Sequence, residues 1–200
     1  VANAVKRAVE DLLERINDFK KEEGLTGSLP KLISEIGSLA GGKGIVLRGE
    51  GHFDPPTVPL DTETGQGMPY GTYTFGTQYV ELGINLLTGR VHLDRIVASY
   101  DCGVVINPVL FQGQVDGGTA QGIGYALLEE LDLKKGKVNN DNFDRYLMAT
   151  SLDVSRVDVY TVPNYDQLGP FGAKGVGEPA TVPTAAAVIG AINRASGSRF

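Results

Sequence analysis

A single acidic side chain lies in a glycine-punctuated segment near the end of the sequence, residues 172–179, with the sequence GAKGVGEP. Its glycines lack a Cβ atom and therefore let the backbone approach a bound group closely. Pro179 is expected to hold Glu178 in an extended conformation and to end any local helix. This pattern favours Glu178 as a catalytic carboxylate; the simpler alternative is a turn whose acid complements a helix N-terminus.

A second candidate surface lies on a predicted helix over residues 110–130. This helix contains glycines at 113, 117, 118, 122 and 124. Each interior glycine costs a helix up to about 1 kcal/mol relative to alanine, so another element or a cofactor should approach closely there. Gln114 and Gln121 share one face of this helix. Two alternatives stay open: a ligand groove with hydrogen-bonding amides, or tight packing with the glutamines at its rim.

The composition narrows the class of protein. With 200 residues, 42% hydrophobic and 21% charged, the chain suits one folded domain or two small ones. The net charge of −6 and the lack of a long Lys/Arg cluster argue against nucleic-acid binding. No apolar run approaches the roughly 20 residues of a membrane span. Cys102 is the only cysteine, so this chain alone builds no disulfide, cysteine-ligated zinc site or iron–sulfur cluster. A cytoplasmic location is expected.

The hydrophobic periodicity and turn signals predict alternating helices and strand pairs. The predicted elements are a helix ending at Gly24, a short helix over 28–36, a strand over 45–53, a loop over 54–71, a hairpin of 73–86 and 90–100, the glycine-rich helix, a strand over 156–162, and a last helix stopped by Gly197. This alternation predicts an α+β fold of layered helix-on-sheet units. We expect two subdomains, about 1–135 and 136–200 with strand exchange, in a piece of a larger polypeptide.

Residues 172–179 resemble the active-site loop of the molybdenum hydroxylases, the family of xanthine dehydrogenase and aldehyde oxidase. Two earlier segments agree with that family in order. Residues 101–108, DCGVVINP, are similar to its Asp-x-Gly-x-x-Ile-Asn-Pro segment, and residues 113–124, GQVDGGTAQGIG, are similar to its Gly-Gln helix. On these segments the chain resembles the C-terminal part of the molybdopterin-binding subunit.

The resemblance implies the fold of that subunit's molybdopterin-binding domain and a role for each matched residue. Glu178 falls on the family's catalytic carboxylate, which acts as general base, and Gln114 on its cofactor-contacting glutamine. Gly113, Gly175 and Gly177 are expected to contact the cofactor as well. The metal sits on a pterin in that family, so no protein metal ligand is expected. The implied reaction is oxidative hydroxylation of an aldehyde or a purine-like N-heterocycle with water-derived oxygen.

The implied cofactor is a molybdenum–pterin, in its plain or cytosine dinucleotide form. Iron–sulfur clusters and FAD are expected on partner chains or domains, together with the rest of the molybdopterin subunit, so the isolated chain is expected to be inactive. One alternative is a non-catalytic assembly or cofactor-binding module of the same fold. A nucleotide-binding domain is a weaker alternative, because the glycines lack a strand–Gly-x-Gly-x-x-Gly–helix context. Tyr70, Tyr73 and Phe75 either line a substrate channel or pack in the core.

Overall fold

The computed structural model describes residues 1–197. These residues form two compact units, residues 1–71 and residues 72 onward. This boundary does not coincide with the division expected near residue 135, which stays a prediction. Within residues 1–197, no helix combines the length and the apolar character needed to cross a bilayer.

The first unit is built around two helices, α1 (Ala2–Glu22) and α2 (Leu29–Gly42). Their shared core consists of buried apolar side chains, Ile16, Phe19, Ile36 and Ala40. The predicted start of α2 after Ser28 is confirmed. Its end is about a turn and a half later than predicted, because Ala40 is buried one helical turn beyond Ile36 and extends the apolar face.

The predicted strand over residues 45–53 is wrong. The segment runs along α1 and takes side-chain partners from that helix in place of a neighbouring strand. The Glu50 N–H donates to Asp11 Oδ2 at 2.8 Å, and an Arg7 guanidinium nitrogen donates to the His52 carbonyl oxygen at 2.6 Å. Backbone groups need hydrogen-bond partners, and here a helix surface supplies them without a sheet.

The second unit contains a three-stranded sheet whose strands span Phe75–Ile84 (β1), Val91–Asp101 (β2) and Arg156–Thr161 (β5), in the order β1–β2–β5. Strands β1 and β2 form the predicted antiparallel hairpin, with Gly89 in the left-handed region at the turn. Two short strands of two residues each, β3 (Leu133–Lys134) and β4 (Lys137–Val138), form a separate antiparallel hairpin later in the chain. Strand β5, also predicted, pairs in parallel with β2.

Helices α3 (Pro108–Leu127) and α4 (Val182–Ser196) pack against each other, and α4 packs against β1. The core between sheet and helices is apolar, with Val80, Leu93, Ile96, Ile123 and Val188 all buried. Helix α3 ends three residues earlier than predicted, since the N–H groups of Leu128 and Glu129 both donate to the Gly124 carbonyl oxygen. The α+β class with helices layered on a sheet is confirmed.

Candidate active site

Glu178 opens a short 3₁₀ helix, Glu178–Ala180, which leads directly into α4. The expectation of an extended Glu178 that ends a helix is therefore wrong. Pro179 fits the first turn because proline lacks an N–H group and its φ angle suits a helical start. Gly177 has a φ of −59°, so its importance here does not come from left-handed backbone.

The loop that carries Glu178 is tied to the turn after β2 by paired backbone hydrogen bonds. The Lys174 N–H donates to the Cys102 carbonyl oxygen at 2.8 Å, and the Val104 N–H donates to the Gly172 carbonyl oxygen at 2.9 Å. Gly103, with a φ of +71°, lies so close to this loop that any Cβ atom would collide with the Gly172 carbonyl. Glycine is therefore required at this crossing of the two segments.

A buried ion pair reinforces the same crossing. Lys174 Nζ lies 2.8 Å from Asp101 Oδ2, and the two side chains are only 5% and 13% exposed. Asp101 also accepts from Asn164 Nδ2 at 2.9 Å and from the Gly103 N–H at 3.2 Å. The hydrogen bond from Lys174, followed by that from Asn164, lowers the pKa of the Asp101 carboxyl. The Lys174 ammonium also lies 5.7 Å from the centroid of the Phe75 ring.

Four of the five glycines of α3 fall into two groups. Gly118 faces the Glu178–Ala180 turn, where an added Cβ would lie 2.6 Å from the Ala180 Cβ, and Gly122 faces Thr184. Gly113 and Gly117 face open space, with nothing within 4 Å of a built Cβ. Tight packing therefore explains one part of this helix, and an open face of small residues remains on another.

The two glutamines of α3 differ in the same way. Gln121 is engaged: its Nε2 donates to the Tyr125 hydroxyl at 2.9 Å, and its Oε1 accepts from Thr181 Oγ1 at 3.3 Å. Gln114 is exposed, and within residues 1–197 its amide makes no hydrogen bond. A Cβ built on Gly177 would lie 3.7 Å from Gln114 Oε1. The amide of Gln114 thus borders the Glu178 loop and keeps its donor and acceptor groups available.

Of the predicted site residues, the structure brings Gly177 beside the Gln114 amide, and Glu178 follows Gly177 in the chain. Glu178 is exposed, and no hydrogen bond or ion pair within residues 1–197 involves its carboxylate. Gly175, also exposed, has nothing within 4 Å of a built Cβ, as at Gly113. No contact of the described residues assigns these two glycines to a bound group, so their role stays a prediction.

Residues 1–155 match the protein family described as "Molybdopterin cofactor-binding domain". The chain belongs to that family. It is 38% identical over 125 residues to the xanthine dehydrogenase molybdenum-binding subunit of Escherichia coli O157:H7, a stretch covering 62% of this chain and 17% of that protein. It is 36% identical over 142 residues to the aldehyde oxidoreductase of Megalodesulfovibrio gigas, covering 70% of this chain and 15% of that protein.

The structure agrees with this assignment. The crystal structure of the aldehyde oxidoreductase from Desulfovibrio desulfuricans ATCC 27774 matches 99% of this chain and 20% of that one, with a TM-score of 0.77 and 30% identity. The molybdopterin-binding fold and the resemblance to xanthine dehydrogenases and aldehyde oxidoreductases are confirmed. The chain spans at most about a fifth of the length of the relatives it matches.

For a molybdopterin-binding domain, the surface beside Glu178 has suitable chemistry. Gln114 offers an unpaired amide donor and acceptor, and Gly113 and Gly117 leave the helix face bare where a cofactor could approach. These features fit a large polar group that forms hydrogen bonds to the protein. No group of three or more His, Cys, Asp or Glu suited to holding a metal ion occurs within residues 1–197.

A mostly apolar cavity of about 280 Å³ lies between the start of α3 and the loop. Val105, Leu110, Phe111 and Val176 contribute to its wall, and Gln114 and Lys174 provide polar groups. Cys102 also borders the cavity, and burial raises the pKa of its thiol. A thiol with a raised pKa is a weak nucleophile, so Cys102 acts as a small apolar residue.

Several residues that contact the loop or the turn carrying Glu178 were not assigned a role from the sequence; among them, the Tyr100 hydroxyl and Gln78 Nε2 both contact the Ala180 carbonyl oxygen. Asp101 and Lys174 could have been suspected, because each lies in a segment that resembles the molybdenum hydroxylases. Gln78 and Tyr100 gave no such signal. They come together only through the register of the hairpin, in which Gly76 pairs with Tyr100 and Gln78 with Ala98. The alternating hydrophobic pattern of the two strands does not specify that register, so the proximity of Gln78 and Tyr100 could not be predicted from the sequence.

Proposed function

We propose that this chain supplies the general base and part of the cofactor-contacting surface of a molybdenum hydroxylase. The reaction is oxidative hydroxylation of an aldehyde or an N-heterocycle with oxygen derived from water. The observation that carries the proposal is that Gly177, the residue before Glu178, borders the Gln114 amide: a Cβ built on Gly177 would lie 3.7 Å from Gln114 Oε1. The unpaired Glu178 carboxylate would serve as a proton acceptor, and the unpaired Gln114 amide would supply a hydrogen-bonding contact.

The carboxylate of Glu178 is suited to take a proton. A general base needs a free lone pair within about 2.6–3.2 Å of the atom that loses its proton, and it contributes roughly 10²- to 10⁴-fold. Glu178 has free lone pairs because no donor within residues 1–197 occupies them. In the proposed step it accepts the proton lost by the water-derived oxygen as that oxygen attacks the electron-poor substrate carbon.

The cofactor is proposed to be a molybdenum–pterin, in the plain or the cytosine dinucleotide form. When bound, it supplies the two-electron oxidation that accompanies hydroxylation. Gln114 is proposed to hydrogen bond to it, and Gly113, Gly175 and Gly177 to let it approach the backbone. The chain's own contribution is to orient this group and to hold Glu178 beside it.

The remaining components are proposed to lie on other parts of the enzyme. The chain spans at most about a fifth of the length of its relatives, and we propose that the rest of the subunit completes the cofactor site. Iron–sulfur and flavin centres are proposed on partner subunits, since the one cysteine here cannot ligate a cluster. Electrons released in the reaction would leave through those partners.

The test is Glu178→Gln in the assembled enzyme, with turnover measured per bound molybdenum. The amide keeps the shape of the side chain but cannot act as a base, so kcat is expected to fall at least about 100-fold. Glu130→Gln, at another exposed glutamate, is the matched control and should leave turnover unchanged. Parental activity in Glu178→Gln would remove the assigned base.

The alternative is a non-catalytic assembly or cofactor-binding module with the same fold. The bare face of α3 at Gly113 and Gly117 would suit such a module equally well. Metal and pterin analysis of the assembled complex, combined with turnover, separates the two. Stoichiometric cofactor with Glu178-dependent turnover supports the enzyme, whereas cofactor without any such turnover supports the module.

A further inference from the structure

The turn that carries Glu178 is held by side-chain hydrogen bonds to one atom, the Ala180 carbonyl oxygen. This oxygen accepts from the Tyr100 hydroxyl at 3.1 Å, from Gln78 Nε2 at 3.3 Å and from Thr184 Oγ1 at 3.4 Å. Ala180 closes the short helix that Glu178 opens. The position of this carbonyl therefore fixes the backbone from which the Glu178 side chain extends.

The donors to this carbonyl are themselves held rigidly. Tyr100 is completely buried on β2, and its ring occupies the space above Gly76, where a Cβ atom would collide with it. Burial raises the pKa of the Tyr100 phenol, so the hydroxyl keeps its proton and remains a donor. Gln78 Nε2 also contacts the Tyr100 hydroxyl at 2.8 Å and Thr119 Oγ1 at 3.2 Å.

The orientation of the Gln78 amide has a cost. Its Oε1 atom is buried and has no hydrogen-bond partner within residues 1–197. An unpaired buried acceptor typically costs about 1–3 kcal/mol. The two hydrogens on Gln78 Nε2 face three acceptors, the Tyr100 hydroxyl, Thr119 Oγ1 and the Ala180 carbonyl oxygen, and are shared among these contacts.

Glu178 itself depends on this anchor. Its carboxylate has no side-chain partner within residues 1–197, so its location is set by its backbone and by whatever binds it. The opposite side of the turn is limited by α3, where Gly118 permits Ala180 to pack closely. The turn is thus held between the glycine face of α3 and the polar contacts from the sheet.

We propose that Tyr100 and Gln78 are positioning residues that hold the Glu178 turn in place against α3, so that its carboxylate stays where it acts as the general base. This inference rests on the proposed function, in which Glu178 is the general base. Neither residue touches the reacting atoms, since both act through the Ala180 carbonyl. A displacement of about 1 Å in a catalytic group can lower a rate by roughly 100-fold, which makes such an anchor consequential.

The experiment compares Tyr100→Phe, Glu178→Gln and the double variant in the assembled enzyme, with turnover expressed per bound molybdenum. Tyr100→Phe removes one hydroxyl and keeps the buried ring, so kcat is expected to fall about 10- to 100-fold with KM changed little. If Tyr100 acts through Glu178, the double variant should be no slower than Glu178→Gln alone. Tyr79→Phe, at an exposed tyrosine on β1, is the matched control.

Each outcome decides the matter. Unchanged turnover in Tyr100→Phe, alongside a large loss in Glu178→Gln, would overturn the positioning role and leave the proposed function standing. An equal fractional loss in both backgrounds would show that Tyr100 acts elsewhere and would also overturn it. Parental activity in Glu178→Gln would remove both proposals. If Tyr100→Phe does not accumulate, Gln78→Met removes the second donor at similar volume and is subject to the same criteria.

Discussion

Replacing Lys174 by methionine tests whether the buried ion pair with Asp101 holds the loop that carries Glu178. Methionine keeps most of the apolar stem of the lysine and removes its charge. The variant leaves Asp101 with Asn164 and the Gly103 N–H as its remaining partners. The loop should then separate more readily from the turn after β2.

The size of the effect follows from burial. Removing one partner of a buried ion pair typically costs about 3–5 kcal/mol, because the other charge is left uncompensated. Asp101 is slightly exposed and keeps two other donors, so we expect a smaller loss of about 2 kcal/mol in the free energy of local opening. That loss corresponds to roughly a 30-fold faster exchange of the backbone amides that open with the loop.

The effect should depend on pH in a definite direction. The pKa of Asp101 is lowered in the folded protein, so its contribution to stability is present above its unfolded value of about 3.9. That contribution disappears as the pH falls through the lower, folded value. The difference between the parent and Lys174→Met should therefore be full at neutral pH and should narrow below about pH 4.

Hydrogen–deuterium exchange on the loop measures this directly. Two backbone amides report on the loop. The N–H of residue 174 donates a hydrogen bond to the Cys102 carbonyl oxygen, and the Val104 N–H donates to the Gly172 carbonyl oxygen. Lys134→Met is the control, because Lys134 pairs with an aspartate at 3.5 Å while 74% exposed. Equal exchange of both amides in the parent and Lys174→Met at pH 7 would refute the claim that the ion pair holds the loop.

Two further predictions concern packing and charge in the same unit. Gly118→Ala should lower the free energy of unfolding, measured by urea denaturation, by about 1–3 kcal/mol, because the added methyl group overpacks against Ala180. Gly117→Ala should raise the same free energy by up to about 1 kcal/mol, because alanine has the higher helix propensity. A destabilised Gly117→Ala would contradict the open face. The hydrogen bond from Arg95 lowers the pKa of Asp158, so the stability that Asp158 contributes is lost as the pH falls. In Asp158→Asn, the free energy of unfolding should therefore decrease less steeply with falling pH in the acid range than in the parent. An unchanged slope in the acid range would refute that assignment.

The elements with strong local signals were predictable from the sequence. The hairpin with Gly89 at its turn and the last helix, stopped by Gly197 in the left-handed conformation, appear where expected. Both depend on short-range chemistry, a turn residue or a cap beside a periodic apolar pattern. The predicted strand over 45–53 is wrong for the opposite reason. Its composition is typical of a strand, but backbone groups of this segment hydrogen bond to side chains of α1, which lies far away in the sequence.

The candidate site residues were predictable from the sequence, but the residues that contact the turn carrying them were not. Glu178 and Gln114 were identified by their segments, and the structure places Gly177 beside Gln114. The 3₁₀ turn at Glu178 differs from the expected extended backbone, because Pro179 also suits the first turn of a helix and this preference prevails over its effect on the preceding residue. The contact of Tyr100 with Ala180 spans distant parts of the sequence and could not be inferred from local pattern.

The glycines of α3 differ in what surrounds them. A helix with a bulky residue at Gly118 could not accept the Glu178 turn at this distance, and Gly122 does the same for the start of α4. Neither position offers anything to a ligand, because protein atoms already fill the space. Gly113 and Gly117 have no such reason in the described chain, and their cost to the helix is uncompensated there. These two open glycines lie on the helix that carries the unpaired Gln114 amide, and we propose that the cofactor approaches the helix there.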